Sequence, residues 1–143
     1  MANESLSELA HQLLSRETVG TLSTMSRQHE GFPFGSVMPY AVDSEGRPVF
    51  LISSMAMHTK NLNANPRASL LVAEAVPADQ TLVSARATFL GEVEEVDDPA
   101  LRDLYLARHP DAAQWVDFGD FAFYRLNVKA AYYVGGFGVM GWL

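Results

Sequence analysis

Cysteine is absent from the 143 residues. Its absence removes disulfides, thiolate metal sites and cysteine nucleophiles at once, and it fits a reducing compartment. Long apolar runs are missing too. The N-terminal stretch carries Glu4 and Glu8 and has no hydrophobic span of about 20 residues, so it reads as neither signal peptide nor membrane anchor. A soluble, cytoplasmic protein is expected. Basic residues are few and scattered, with 10 Lys and Arg against 17 Asp and Glu. A formal charge of −7 repels nucleic-acid phosphates and anionic membranes on average, so neither is an expected partner.

Several chemistries fall away with these. The histidines His11, His29, His58 and His109 stand at no metal-ligand spacing, and no metal site is expected. Ser36 lies in no G-x-S-x-G elbow, which leaves a hydrolase triad unsupported. Gly136-x-Gly138-x-x-Gly141 matches the dinucleotide fingerprint in letters only. That fingerprint works between a strand and a helix, and just Trp142 and Leu143 follow it. It reads instead as a glycine-rich strand end where backbone passes close to something flat or bulky. The acid pairs Glu94-Glu95 and Asp97-Asp98 read as charges at a helix start. Low-complexity tracts and repeats are also missing, and a 48% apolar content gives core enough for one domain over residues 1–143.

What the chain does contain is a series of short alternating runs. Ser5 to Ser15 has Leu6, Leu9, Ala10 and Leu13 at helical spacing, with Ser5 and Glu8 as a capping box. Strands are expected at Thr18–Ser26, Phe34–Val42, Val49–Ile52, Ala68–Ala73, Thr81–Val96 and Phe121–Val134. In the second, alternation puts Phe34, Ser36, Met38, Tyr40 and Val42 on one face, and Pro39 marks an edge or bulge. Gln28–Gly31, Asp43–Gly46 and Pro77–Gln80 are turns or loops. A helix opens at Asp98-Pro99, carries the stripe Leu101, Leu104, Tyr105, and ends by Pro110. Asp111–Asp120 is a loop or short helix. Strands joined by short turns favour antiparallel pairing, and closure hides their edges. The expected fold is therefore mainly β (α+β): a six-stranded antiparallel barrel with short flanking helices.

One stretch concentrates polar chemistry. The run Val49–Ile52 stops at Ser53-Ser54, and a short amphipathic helix follows until Asn65-Pro66 breaks it. The first turn of a helix has backbone N–H groups without partners and a positive dipole end. Here Ser53, Ser54, His58, Thr59 and Lys60 surround that turn, and they suit a phosphate monoester. Local capping by the serines and a solvated lysine is the competing reading. Arg86 interrupts an otherwise small, apolar stretch of strand, on the face away from the barrel interior. Covering apolar surface with its stem is one reading of it.

Taken together, these pieces resemble the pyridoxamine 5'-phosphate oxidase-like, FMN-binding split-barrel proteins. The matching motifs are G-T-L-S-T (Gly20–Thr24), G-S-V-M-P-Y-A (Gly35–Ala41), S-S-M-A-M-H-T-K-N-L (Ser53–Leu62), R-x-x-x-x-G (Arg86–Gly91) and Y-R-L (Tyr124–Leu126), leading to G-G-F-G. The His-Thr-Lys-Asn-Leu and Gly-Gly-Phe-Gly signatures are most similar to the haem-utilisation-type subgroup. The resemblance implies a split β-barrel homodimer with FMN at the subunit interface. It implies a phosphate held by Ser53, Ser54, His58, Thr59 and Lys60, with Met57 also a cofactor-binding residue, and a ring lined by backbone from Gly35 to Met38, Ser36 and Val37 included. Arg86 would reach the pyrimidine edge or the phosphate from a dimer seam. The implied function is an FMN-binding flavoprotein of oxidoreductase type, acting on a small molecule by hydride or electron transfer to flavin. Two other readings stay open: a non-enzymatic flavin- or haem-binding protein, and a deazaflavin-dependent reductase. Two departures bear on the ligand. With Leu143 as the last residue, any C-terminal extension that contributes haem-contacting groups in relatives is expected to be missing, and Val139-Met140-Gly141 has no arginine where a tail arginine helps grip the substrate in the oxidases.

Overall fold

The computed structural model describes residues 4–143, so the first three residues of the unit expected over 1–143 lie outside the described residues. Helix α1 (Leu6–Arg16) starts at Ser5, whose Oγ accepts the Glu8 N–H at 3.1 Å. The strands are β1 (Val19–Met25), β2 (Pro33–Pro39), β3 (Ala41–Val42), β4 (Pro48–Ser53), β5 (Arg67–Ala73), β6 (Arg86–Val96), β7 (Phe121–Val134) and β8 (Met140–Trp142). Helices α2 (Met57–Ala64) and α3 (Ala100–Arg108) complete the set, with 3-10 turns at Ala78–Val83 and Pro110–Gln114.

Every strand pairing is antiparallel, in the order β2-β1-β5-β6-β7-β4-β3, with β8 added to β7. The two ends of that path, β2 and β3, are successive parts of one run of chain, separated only by Tyr40. The sheet must therefore curl until its ends meet at Tyr40. That residue is fully buried, its hydroxyl donates to the Leu14 carbonyl at 2.6 Å, and its own carbonyl lies 2.7 Å from His109 Nε2. A carbonyl can only accept, so Nε2 carries the proton.

The six expected strands are all present, but they become eight. Tyr40 splits the second, because Pro39 has no N–H to continue the ladder. The glycine-rich tail adds the eighth, turning at Gly136 (φ +107°) and Gly138 (φ +82°) in a backbone region that favours glycine. The strand expected from Thr81 starts only at Arg86. Upstream of it the hydroxyls of Thr81 and Ser84 donate to the carbonyls of Ala78 and Thr81, and these local bonds hold a 3-10 turn in place of a ladder.

Leu22, Leu70, Val72, Phe50 and Leu126 fill the barrel, and Ala10, Leu13 and Leu14 of α1 cover it. Each such side chain contributes roughly 1.5–3 kcal/mol on burial. A smaller cluster, Ala41, Leu51, Tyr105, Ala112 and Val116, seats α3 outside the sheet. Among the described residues no helix is long and apolar enough to cross a membrane, and no group of three or more His, Asp or Glu could hold a metal ion.

Candidate functional site

The segment around α2 is held by residues distant in sequence, Asp120 at its start and Thr24 and Arg27 beyond its first turn. Where β4 stops, Ser53 Oγ donates to Asp120 Oδ2 at 2.6 Å and accepts the Met55 N–H at 3.1 Å. The Ser54 N–H donates to the Asp120 carbonyl at 2.8 Å. The residue that opens α2 is then Ala56, which has no side chain to cap it. The competing reading, local capping by the serines, is not what forms at the helix start, since Ser53 Oγ is engaged by Asp120 and the Met55 N–H. The N–H groups of Met57, His58 and Thr59 are left without an acceptor among the described residues, which keeps the first turn free for an anion.

Two further polar atoms sit here without partners. Thr59 is fully buried and its Oγ1 makes no hydrogen bond, and His58 Nε2 is buried and unpaired as well. Burial holds the His58 imidazole below its ordinary pKa, so its neutral form is favoured. Unpaired buried polar atoms are rare and call for a reason, such as a ligand that completes them. Lys60 is exposed on the next position and Met57 is exposed at the helix start. Beyond the first turn, Asn61 Nδ2 donates to Thr24 Oγ1 at 3.1 Å and Asn61 Oδ1 accepts the Arg27 N–H at 3.0 Å. That pair pins α2 to the end of β1.

The start of β2 lies at the same end of the barrel, because Phe34 pairs with Thr24. Ser36 and Met38 turn inward there, Met38 into the core, while Val37 points out and is 78% exposed. Arg86 is elsewhere. It pairs with Ala73, six residues along β5 from Arg67, where the chain leaving α2 joins the sheet. At strand rise that is about 20 Å. Its Nη1 donates to the carbonyls of Thr81 and Ser84, at 3.1 and 3.4 Å. One protomer thus gathers Ser53, Ser54, Met57, His58, Thr59 and Lys60 along one short segment, sets Ser36, Val37 and Met38 on β2 opposite Leu22, Thr21 and Gly20 of β1, and leaves Arg86 apart. A site shared with Arg86 would need it from a second copy. Sequence reasoning missed Asp120, which is 67 residues from Ser53 and carries no local signal.

The chain has well-defined relatives. A family described as CREG, beta-barrel matches residues 2–143. A chloroplastic protein of Arabidopsis thaliana named non-canonical heme oxygenase HOZ is 46% identical over 127 residues, which are 87% of this chain and 38% of that protein. The heme binding protein of Mycobacterium smegmatis superposes with a TM-score of 0.91 at 32% identity, covering 100% of this chain and 59% of the other. HutZ, the heme storage protein of Vibrio cholerae, shares the fold, with a TM-score of 0.68 at 24% identity over 88% of this chain and 92% of its own. This chain therefore spans less than two thirds of each of the first two. The fold is that of the split barrels, both the pyridoxamine 5'-phosphate oxidase-like and the haem-utilisation type.

Proposed function

The chain belongs to the CREG beta-barrel family, and on that footing we propose that it is a haem-binding split barrel. The relatives carry this reading, since the chloroplastic protein and the mycobacterial one are both named for haem. The outer face of the sheet supports it. One cross-strand row there runs Val37, Thr21, Leu71, Thr88, Tyr132, Trp142, over six strands. Val37, Leu71 and Trp142 are 78%, 41% and 62% exposed, so the row is a broad surface of mixed apolar and hydroxyl character. Such a surface suits a planar macrocycle, a second copy of the chain, or one enclosed by the other. We take the protein to act as a homodimer on the same ground. Purified protein mixed with haem and passed through a gel-filtration column should elute with a Soret band at the position of a dimer. Elution of haem only in the salt volume would overturn the proposal.

A second reading rests on a separate observation. The uncapped start of α2, with the unpaired Thr59 Oγ1 and His58 Nε2, fits the phosphate of FMN. Met57, His58, Thr59 and Lys60 would hold it, and flavin would supply electron transfer when bound. Asp120 works against it, placing a carboxylate beside the anchor. FMN should then bind far more tightly than riboflavin, because charge-assisted hydrogen bonds contribute roughly 1.5–3 kcal/mol each. Equal affinities for the two would remove the phosphate anchor and this reading with it.

A further inference from the structure

A cleft of about 560 Å³ opens on the outer face of the sheet, beyond the C-terminal end of α2. Its floor includes Ser23, Ser69 and Leu90, which are direct cross-strand neighbours on β1, β5 and β6, with Met25 at one side. Two cations line it, Arg67 and Lys129.

Both cations are delivered by specific backbone devices. The Arg67 N–H donates to Asn65 Oδ1 at 3.1 Å, which sets the turn from α2 into β5. Lys129 depends on Gly91. A Cβ at that position would stand 2.0 Å from the Asn127 carbonyl oxygen, so only glycine lets β6 and β7 approach so closely. The register shifts there: Leu90 pairs with Ala130 and Gly91 with Val128, leaving Lys129 as the extra residue. Bulges of this kind re-aim a side chain, and here the side chain lines the cleft. Arg67 and Lys129 stand two strands apart, about 10 Å across the sheet.

Neither cation is within ion-pair distance of a carboxylate among the described residues. Glu92 lines the same cleft and is the cross-strand partner of Arg67, yet it does not pair with it. In a chain of formal charge −7, two unpaired cations in one cleft mark a place that attracts anions. A compact phosphate would leave the Met25 and Leu90 surface unused. We propose that the cleft takes a flat, mainly apolar ligand with carboxylates along one edge. Resting on the haem reading above, that ligand is haem, with Arg67 and Lys129 holding its two propionates. Arg67 suits a carboxylate through its planar fork, and Lys129 acts as a point charge.

The test uses haem and its dimethyl ester, in which both propionates are capped, titrated into the wild type and into an Arg67→Ala, Lys129→Ala double variant. Wild type should bind haem more tightly than the ester by about a hundredfold, from about tenfold for each cation. The double variant should bind the two alike, at about the affinity the wild type has for the ester. Arg67→Lys with Lys129→Arg, which keeps both charges, should restore much of the preference for haem. Both replaced residues are exposed, so a folded variant is expected. Haem binding that is undiminished in the double variant, or an ester that binds wild type as well as haem does, would overturn this site and leave the haem reading standing. A wild type that binds neither would overturn both.

Discussion

Replacing Asp43 by alanine should unfold this protein more readily than most single changes. The side chain is 4% exposed and satisfies four donors. Its Oδ1 accepts the N–H groups of Glu45 and Arg47 at 3.0 and 2.9 Å, and its Oδ2 accepts Nε of Arg47 and Nε of Arg125, both at 2.9 Å. The first pair sets the turn between β3 and β4, and the Arg125 bond ties that turn to β7. Alanine leaves all four donors unmatched. Arg47 is 32% exposed and can find water, but Arg125 is only 12% exposed. Breaking a buried ion pair by removing one partner costs about 3–5 kcal/mol, and the hydration open to Arg47 puts the expected loss near the low end. A loss of about 3 kcal/mol corresponds to roughly 10 °C in Tm for a domain of this size. Urea denaturation followed by circular dichroism measures it.

The pH dependence of that loss has a definite sign. Burial alone would raise the Asp43 carboxyl, but the N–H groups of Arg47 and Glu45 and the Arg47 guanidinium outweigh it and hold it below the usual carboxylate range. A carboxylate with a depressed folded pKa stabilises the fold fully above its unfolded value, about 3.9. The contribution is lost as pH falls through the lower folded value. The gap between wild type and Asp43→Ala should thus be full at neutral pH and narrow only below about pH 4. A gap under about 1 kcal/mol at pH 7 would refute the reasoning, since surface changes alone account for about half that.

Three further outcomes follow from local geometry. Gly91→Ala drives a Cβ against the Asn127 carbonyl, a backbone atom that cannot rotate away, and should cost about 3 kcal/mol by denaturation and lose the bulge in amide exchange. A near-neutral result would mean that the strands can part there. Thr59→Val replaces a buried hydroxyl that has no partner, so it should leave the ligand-free fold as stable or more so while weakening FMN. A loss above about 1 kcal/mol would show the hydroxyl to be bonded. Tyr40→Phe removes the hydrogen bond to Leu14 and should cost about 1 kcal/mol, read as a shifted urea midpoint.

Much of the barrel was legible because its strands alternate strongly. Phe121–Val134 has the expected bounds, Thr18–Ser26 overruns β1 by one residue at each end, and Ala68–Ala73 starts one residue late against β5. The strand drawn from Thr81 was too long because Val83 and Ala85 continue the alternation of Ala87, Phe89 and Val93, while hydroxyl-to-carbonyl bonds decide the local backbone. At the candidate site, the helix of His58 to Leu62 was readable from its flanks, Ser53-Ser54 and Asn65-Pro66. Its cap was not, because Asp120, just ahead of β7, takes the serine hydroxyl. Arg86 illustrates a different limit. Alternation told which face it occupies, but height along the barrel depends on register, and register placed it opposite Ala73, well away from the start of α2. The role of Gly91 was hidden for the same reason, since a bulge exists only between two strands.

The most direct measurement is an equilibrium titration of the purified protein with haem, followed at the Soret band, with FMN titrated in parallel by fluorescence. For a haem-binding split barrel, the Soret change should saturate at a fixed haem-to-chain ratio, and haem should remain bound when excess FMN is added. A Soret change that rises without saturation, or a protein that binds FMN and leaves haem free, would contradict it.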